Sequence, residues 1–326
     1  MKIAVIGATG LVGSLMLKVL EERGFANERI FAGASSKSVG KKIMFAGREL
    51  TVRSVEQIIS ENCDYAIFSA GGEASREYAP LFAERNTVVI DNSSAWRMNP
   101  EVPLVVPEIN PHTITDSTRI IANPNCSTIQ MVLALYPLHK EFGIKRIVVS
   151  TYQSVTGTGV KAVRQLECEQ RNEECPKAYP HRIHENVLPH GGDFLEDGYT
   201  TEERKLVDET RKIFACPEIA VSATVARVPV RGGHSESVNV QFEKPFEIER
   251  VFELLNEAKG VKVSDNPKQN IYPMPITCEG RDEVFVGRIR RDNSAENALN
   301  MWIAADNLRK GAATNAIQIL EYLTRK

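Results

Sequence analysis

One cysteine in this chain sits where a thiol can become a nucleophile. Cys126 lies in Asn123-Pro124-Asn125-Cys126-Ser127-Thr128, between a polar turn and the apolar run Ile129 to Leu135. Pro124 places a turn upstream, and Asn125 can cap the segment after it. Apolar residues at Ile129, Val132, Leu133 and Tyr136 predict a helix with one buried face, so Cys126 falls at or near its N-terminus. Unpaired N–H groups and the helix dipole favour thiolate over thiol there. Such a thiolate attacks a carbonyl carbon, and neighbouring N–H groups can hold the resulting oxyanion. A small buried thiol, inert and chosen for size, would look the same from this stretch alone.

A second stretch suits a phosphate. Lys2 to Ile6 is a β-branched strand that feeds Gly7-Ala8-Thr9-Gly10-Leu11-Val12-Gly13, followed by a helical pattern at Leu15, Leu17, Val19 and Leu20 that Gly24 ends. The spacing is GxxGxxG rather than GxGxxG. Its logic is the same: Gly7, Gly10 and Gly13 let backbone N–H groups approach a pyrophosphate at a helix N-terminus, with Thr9, Leu11 and Val12 beside it. A plain βα turn without a ligand is the bland alternative. The next strand, about Arg29 to Gly33, does not end in the acid that holds an NAD ribose. Ala34-Ser35-Ser36-Lys37-Ser38 comes next, then Lys41 and Lys42. Hydroxyls and a lysine fit a 2′-phosphate, so the reading is NADP at Ser35, Ser36, Lys37 and Ser38. A solvated polar loop would have the same composition.

The elements around these stretches predict the fold class. Asp64–Gly72, Thr87–Asp91 and Arg119–Ala122 read as further strands alternating with helices, which argues an α/β, doubly wound, mostly parallel sheet. Arg97 lies just past one strand's carboxyl end, a place where ligands collect, though it could equally stack on Trp96. After about Phe142 the texture changes. Arg146–Gln153 is a strand, Val160–Arg171 a helix, and Glu167–Glu185 a charged segment at solvent or an interface. A helix capped by Thr200 or Thr201 runs to about Phe214. Strands come next at Ala223–Val230, Ser237–Phe242, Val284–Arg290 and Leu299–Ala304, with a helix near Ile248–Ala258. This predicts an α+β domain with a mostly antiparallel sheet and one covered face. Asn307–Leu323 reads as an amphipathic helix returning to the first domain. The expected division is 1–125 with 307–326 for the NADP-binding domain, and 126–306 for a catalytic and dimerisation domain.

Bulk properties narrow the field. The chain has 326 residues, 42% hydrophobic and 25% charged, with a net charge of −2. No basic block points to nucleic acid and no apolar run approaches a membrane span. The N-terminus does not resemble a signal peptide. Six cysteines are scattered without a CxxC pair, which reads as a cytoplasmic protein with reduced thiols. His181, His184 and His190 lie close in sequence but lack a second ligand cluster, so no metal is expected.

Four motifs together resemble aspartate-β-semialdehyde dehydrogenases. They are the GATGxVG turn at Gly7–Gly13, the NPNCST turn at Asn123–Thr128, a YQxVxGxG strand end at Tyr152–Gly159 and an RxPVxxxHSE strand at Arg227–Glu236. They stand in the family's order, and the resemblance spans essentially the whole chain. It implies reversible NADPH-dependent reduction of L-aspartyl-4-phosphate to L-aspartate 4-semialdehyde with release of phosphate, a step toward lysine, threonine and methionine. By this resemblance Cys126 forms a thioacyl intermediate, Gln153 positions the substrate, His234 is the acid/base, and Asn125 with backbone N–H groups holds the oxyanion. Arg227 grips the α-carboxylate, Glu202 receives the ammonium, and Lys205 and Arg97 bind phosphate. Thr9 to Val12, Lys37, Ser38, Thr156, Gly157 and Asn307 touch the cofactor. A homodimer built on the second domain is also implied.

The set is chemically coherent. Hydride leaves a thiohemiacetal oxyanion more easily than an aldehyde, which demands a thiolate, an acid/base and a nicotinamide around one carbon. Singly, each residue has a plainer reading: Glu202 and Lys205, at i and i+3, suit a surface helix pair. The alternatives are an N-acetyl-γ-glutamyl-phosphate reductase, against which Glu202 speaks, a cysteine acyl-transfer enzyme without a redox step, and a non-catalytic NADP-binding protein.

Overall fold

The structure, a computed structural model, describes residues 1–325 and divides into two compact units. The first comprises Met1–Asn125 and the chain from Ala312 on; the second is Cys126–Gly311. In the first, the order is β1 (Lys2–Ile6), α1 (Leu11–Glu22), β2 (Arg29–Gly33), β3 (Lys42–Phe45), β4 (Arg48–Thr51), α2 (Val55–Ile59), β5 (Tyr65–Phe68), α3 (Gly72–Ala83), β6 (Val88–Asp91) and β7 (Ile120–Ala122). The main sheet runs β2-β1-β5-β6-β7 and is parallel throughout. Its centre is an apolar run because both faces are covered. Ile3 and Val5 point into a core with Met16 and Leu20 of α1, while Ala4 and Ile6 point into another with Ile58, Ala79 and Phe82 of α2 and α3. This is the doubly wound arrangement expected. The β3–β4 hairpin is an addition the sequence reading left inside a loop.

The second unit holds α4 (Cys126–Phe142), β8 (Ile144–Gln153), α5 (Val160–Gln170), α6 (Thr201–Phe214), β9 (Ala220–Arg227), β10 (His234–Phe242), α7 (Ile248–Glu257), β11 (Val261–Val263), α8 (Pro275–Cys278), β12 (Val284–Arg291) and β13 (Ala298–Ala305). Its sheet runs β11-β12-β13-β10-β8-β9. The inner pairings are antiparallel and the outermost, β8–β9 and β11–β12, are parallel. Along β8, Ile147, Val149, Thr151 and Gln153 are buried, whereas Tyr152 on the other face is exposed.

Two segments add to the sequence reading. Much of Glu167–Glu185 is exposed, in keeping with a segment at solvent or an interface, but it is tied down at several points. Gln165 accepts from the Ala178 and Tyr179 N–H groups, Glu169 accepts from those of Ile183 and His184, and Tyr179 and Ile183 are buried with Leu166. The closing helix is also not continuous from Asn307. A π-helical turn spans Arg309–Ala313, and α9 (Thr314–Thr324) completes the chain. In the first unit α9 packs on α1, where Glu321 takes a two-pronged pair from Arg23.

Candidate active site

Cys126 is the first residue of α4, a helix of 17 residues. The helix N-terminal position expected for this cysteine is met, and the residue is half-buried, whereas Cys63 and Cys278 are buried and their thiols are pushed up to about 11 by desolvation. Gly311, in the π-helical turn, closes on the cysteine. A Cβ there would lie 2.8 Å from the Cys126 Cβ. The turn is anchored by Asp306, whose Oδ1 accepts from the Leu308 and Arg309 N–H groups at 2.9 and 3.1 Å. Beside the thiol, Gln153 Nε2 donates to Ser127 Oγ at 2.9 Å.

Three of the residues singled out by sequence end neighbouring strands on one sheet face. Gln153 pairs in register with Arg227 on β9, and Tyr152 pairs with Ser235, which puts His234 beside Gln153. All three are buried. Gly157 faces two of them: a Cβ there would come within 2.8 Å of Arg227 Nη1 and 2.9 Å of His234 Nε2. The imidazole is held from behind. Ser154 N–H donates to His234 Nδ1 at 3.1 Å, and Ser154 Oγ lies 3.0 Å from the same nitrogen. An N–H donor at Nδ1 leaves the proton on Nε2, which is buried with no hydrogen-bond partner among the described residues. Burial, reinforced by the Arg227 guanidinium, pushes His234 down to about 3, so the ring is neutral near pH 7. Asn307 secures the support: its Oδ1 accepts from Ser154 Oγ, Thr156 Oγ1 and Gly233 N–H at 3.1–3.2 Å.

α6 supplies a charged pair. Of the two caps the sequence offered, Thr200 is the one used, in a capping box with Glu203. Glu202 and Lys205 then meet at 2.7 Å, with Glu202 nearly buried. Gly191 packs on the Glu202 side chain, where a Cβ would lie 3.3 Å from that of Glu202. Arg97 and Asn125 belong to the first unit. Arg97 is buried, and its guanidinium donates to the Asn123 and Asn92 carbonyls at 3.0 Å. Asn125 is buried as well.

The glycine turn fits a pyrophosphate. Gly7 has φ +89°, and a Cβ there would lie 2.2 Å from the Ser69 carbonyl oxygen; one at Gly13 would lie 2.0 Å from the Gly7 oxygen. Gly10 is the N-cap of α1, with no side-chain cap and no acidic residue in the first turn. The first N–H groups are therefore not taken by a side-chain cap, at the positive end of the helix. Thr9 Oγ1 reaches Ser38 Oγ at 3.4 Å, so the Ser35–Ser38 loop borders the turn. Ser35, Ser36 and Lys37 are exposed there. Among the described residues no group of three or more His, Cys, Asp or Glu could hold a metal ion.

Comparison with known proteins extends this geometry. A model of the semialdehyde dehydrogenase NAD-binding domain matches residues 2–117, and one of the semialdehyde dehydrogenase dimerisation domain matches residues 135–310. The aspartate-semialdehyde dehydrogenase of Aquifex aeolicus is 54% identical across 100% of this chain and 98% of its own length. The chain belongs to the aspartate-semialdehyde dehydrogenase family. Among solved structures, aspartate semialdehyde dehydrogenase II complexed with ASA from Vibrio cholerae matches with a TM-score of 0.96 and 43% identity, covering 100% of this chain and 98% of that one. The Candida albicans aspartate semialdehyde dehydrogenase with NADP matches with a TM-score of 0.79 and 27% identity over 99% and 98% of the two chains.

Within this aspartate-semialdehyde dehydrogenase framework, three supporting residues escaped the sequence reading. Ser154 lies inside a recognised motif, but its hold on His234 spans 80 positions. Gly311 touches the cysteine from a segment that reads as plain helix. Glu236 is wholly buried on β10, although it ends a motif of polar residues.

Proposed function

We infer that this protein is an NADP-dependent, phosphorylating aspartate-semialdehyde dehydrogenase. It converts L-aspartyl-4-phosphate to L-aspartate 4-semialdehyde and phosphate, reversibly. The observation that carries the reading is a half-buried cysteine opening α4 beside a buried row of Gln153, His234 and Arg227. The Cys126 sulfur adds to the acyl carbon, with Asn125 and the first N–H groups of α4 taking the oxyanion. Phosphate leaves with the electrons of the C–O bond, and Cys126 is left as a thioester. NADPH, when bound, would supply the hydride that reduces this carbon; the C–S bond then breaks, its electrons return to Cys126 as thiolate, and the aldehyde is released. In its neutral form His234 offers an Nε2–H to the substrate oxygen. An anionic substrate at Arg227 offsets one of the two causes that depress the imidazole, moving it toward the range where it exchanges protons. Arg227 takes the α-carboxylate as a bidentate donor. Glu202 takes the ammonium, while Lys205 and Arg97 take the phosphate. Thr9–Val12 with Gly7 and Gly13, Ser35–Ser38, Thr156, Gly157 and Asn307 serve the cofactor.

We place a homodimer on the open face of the second unit's sheet. There the Tyr152 and Trp302 rings meet at a tilt of 38° with centroids 5.2 Å apart, and Tyr152 is exposed. Sedimentation of wild type against Trp302→Glu checks this: a dimer for the first and a monomer for the second are expected.

The activity is tested by absorbance at the NADPH band, with aspartate semialdehyde, phosphate and NADP. Turnover with the free amino acid and little with its N-acetylated homologue is expected. Preference for the N-acetylated compound would move the substrate to N-acetylglutamyl phosphate. NADP binding without any turnover would leave a binding protein only.

A further inference from the structure

A second polar layer lies directly behind the row of Arg227, Gln153 and His234. One step along the same sheet face, Thr151 on β8 pairs with Glu236 on β10. Thr151 is 1% exposed and Glu236 0%. Gln130, one helical turn after Cys126 on α4, is equally buried and sets its amide beside the Glu236 carboxyl, yet no hydrogen bond of normal geometry joins them. Both Glu236 oxygens, both polar atoms of the Gln130 amide, Thr151 Oγ1 and Gln153 Oε1 are buried with no hydrogen bond of normal geometry to any of the described residues. Protein interiors leave few such atoms, and a buried water typically joins about three of them. We propose that Glu236, Thr151 and Gln130 hold ordered water behind the catalytic row, and that this water-bridged carboxyl is a positioning group for Gln153.

The chemistry of the cluster suits that role. Burial holds the Glu236 carboxyl well up from the usual carboxylate range, with the Gln130 amide a weaker opposing influence. Among the described residues no charged side chain is paired with it: Thr151 and Ile303 flank it across the strands, α4 presents Gln130, and His234 on its own strand is neutral. As the neutral acid it both donates and accepts, so water can close a network without a counter-cation. Gln153 needs such a second hold. Its Nε2 is tied to Ser127 Oγ, next to the nucleophile, but that single bond does not fix the plane of the amide. Water on the Oε1 side would.

The proposal rests on the assignment of Gln153 to substrate positioning, and the test separates the two. Glu236→Gln should melt at higher temperature than wild type at pH 8, the gain shrinking toward pH 5. The sign comes from linkage. A carboxyl raised in the folded state contributes stability that is fully present below the unfolded value of about 4.3 and is lost as pH rises above it. Glutamine has no proton to hold. Glu236→Leu should lower kcat about tenfold with little change in the Michaelis constant for NADPH, and Glu236→Gln should restore it to within about threefold. Thr151→Val, which keeps volume and removes one hydroxyl, should lower kcat severalfold and serves if the leucine variant does not fold. No pH-dependent gain in melting for Glu236→Gln would overturn the neutral, water-bridged carboxyl. Wild-type kcat for Thr151→Val would overturn the positioning role. Wild-type kinetics for Gln153→Ala would instead overturn the assignment of Gln153 to substrate positioning, while the melting arm, which needs no turnover, still reads the carboxyl.

Discussion

His234 shows how a residue's type and its state are learned from different places. A histidine beside Ser-Glu in a recognisable motif is legible from sequence; its neutrality is not, because that comes from complete burial and from Arg227 seven positions away on another strand. The depressed value has a consequence for stability. Below the unfolded value of about 6.5 the unfolded chain binds a proton that the folded protein refuses, so stability is lost as pH falls from there toward 3, by up to about 1.4 kcal/mol per pH unit. Urea unfolding of wild type and His234→Gln across pH 4–7 checks this: the variant should show the shallower loss. Gly157 is the second telling residue. The motif marks it as cofactor-binding, but its missing side chain also leaves room for Arg227 Nη1 and His234 Nε2. Gly157→Ala should cut kcat/KM for the semialdehyde by ten- to a hundredfold, about what an ångström of misplacement costs, with little change in the melting temperature. Steady-state kinetics alongside a thermal melt would reveal it.

Among elements, α6 was legible and β10 only in part. Thr200 is one of the two caps the sequence offered, and the fold uses it in a capping box with Glu203. Losing that cap costs about 1 kcal/mol and frays the turn that carries Glu202 and Lys205. Thr200→Ala should therefore raise the Michaelis constants for phosphate and semialdehyde while leaving that for NADPH alone. Equal Michaelis constants in both proteins would detach the helix start from substrate binding. β10 was expected from Ser237 but begins at His234. Its first residues are polar and buried, so they break the alternation by which strands are recognised. That failure marks the site, since only chemistry requires histidine and glutamate on a buried strand face. The π-helical turn at Arg309–Ala313 was hidden for a different reason: its residues suit a helix of either period, and what distinguishes it is the approach of Gly311 to Cys126.

At the scale of the whole molecule, the proposed function gives cofactor choice and thiol chemistry to different units of the chain. The parallel sheet with its glycine turn presents the Ser35–Ser38 loop; the mixed sheet presents the cysteine, glutamine and histidine. The alternation of strands and helices made the first unit easy to read, whereas the parallel outer pairs of the second depend on long connections that no local pattern encodes. Changing one unit should leave the other's work intact. Lys37→Glu should raise the Michaelis constant for NADP about tenfold or more through like-charge repulsion, while the rate of Cys126 alkylation by iodoacetamide stays unchanged. The central claim is that Cys126 carries the acyl group, and acid-quenched peptide mass spectrometry after mixing the enzyme with L-aspartyl-4-phosphate in the absence of NADPH tests it most directly. The account predicts a β-aspartyl thioester on the peptide containing Cys126, absent from Cys126→Ser; an acyl group on Cys63, on Cys278 or on no cysteine at all would contradict it.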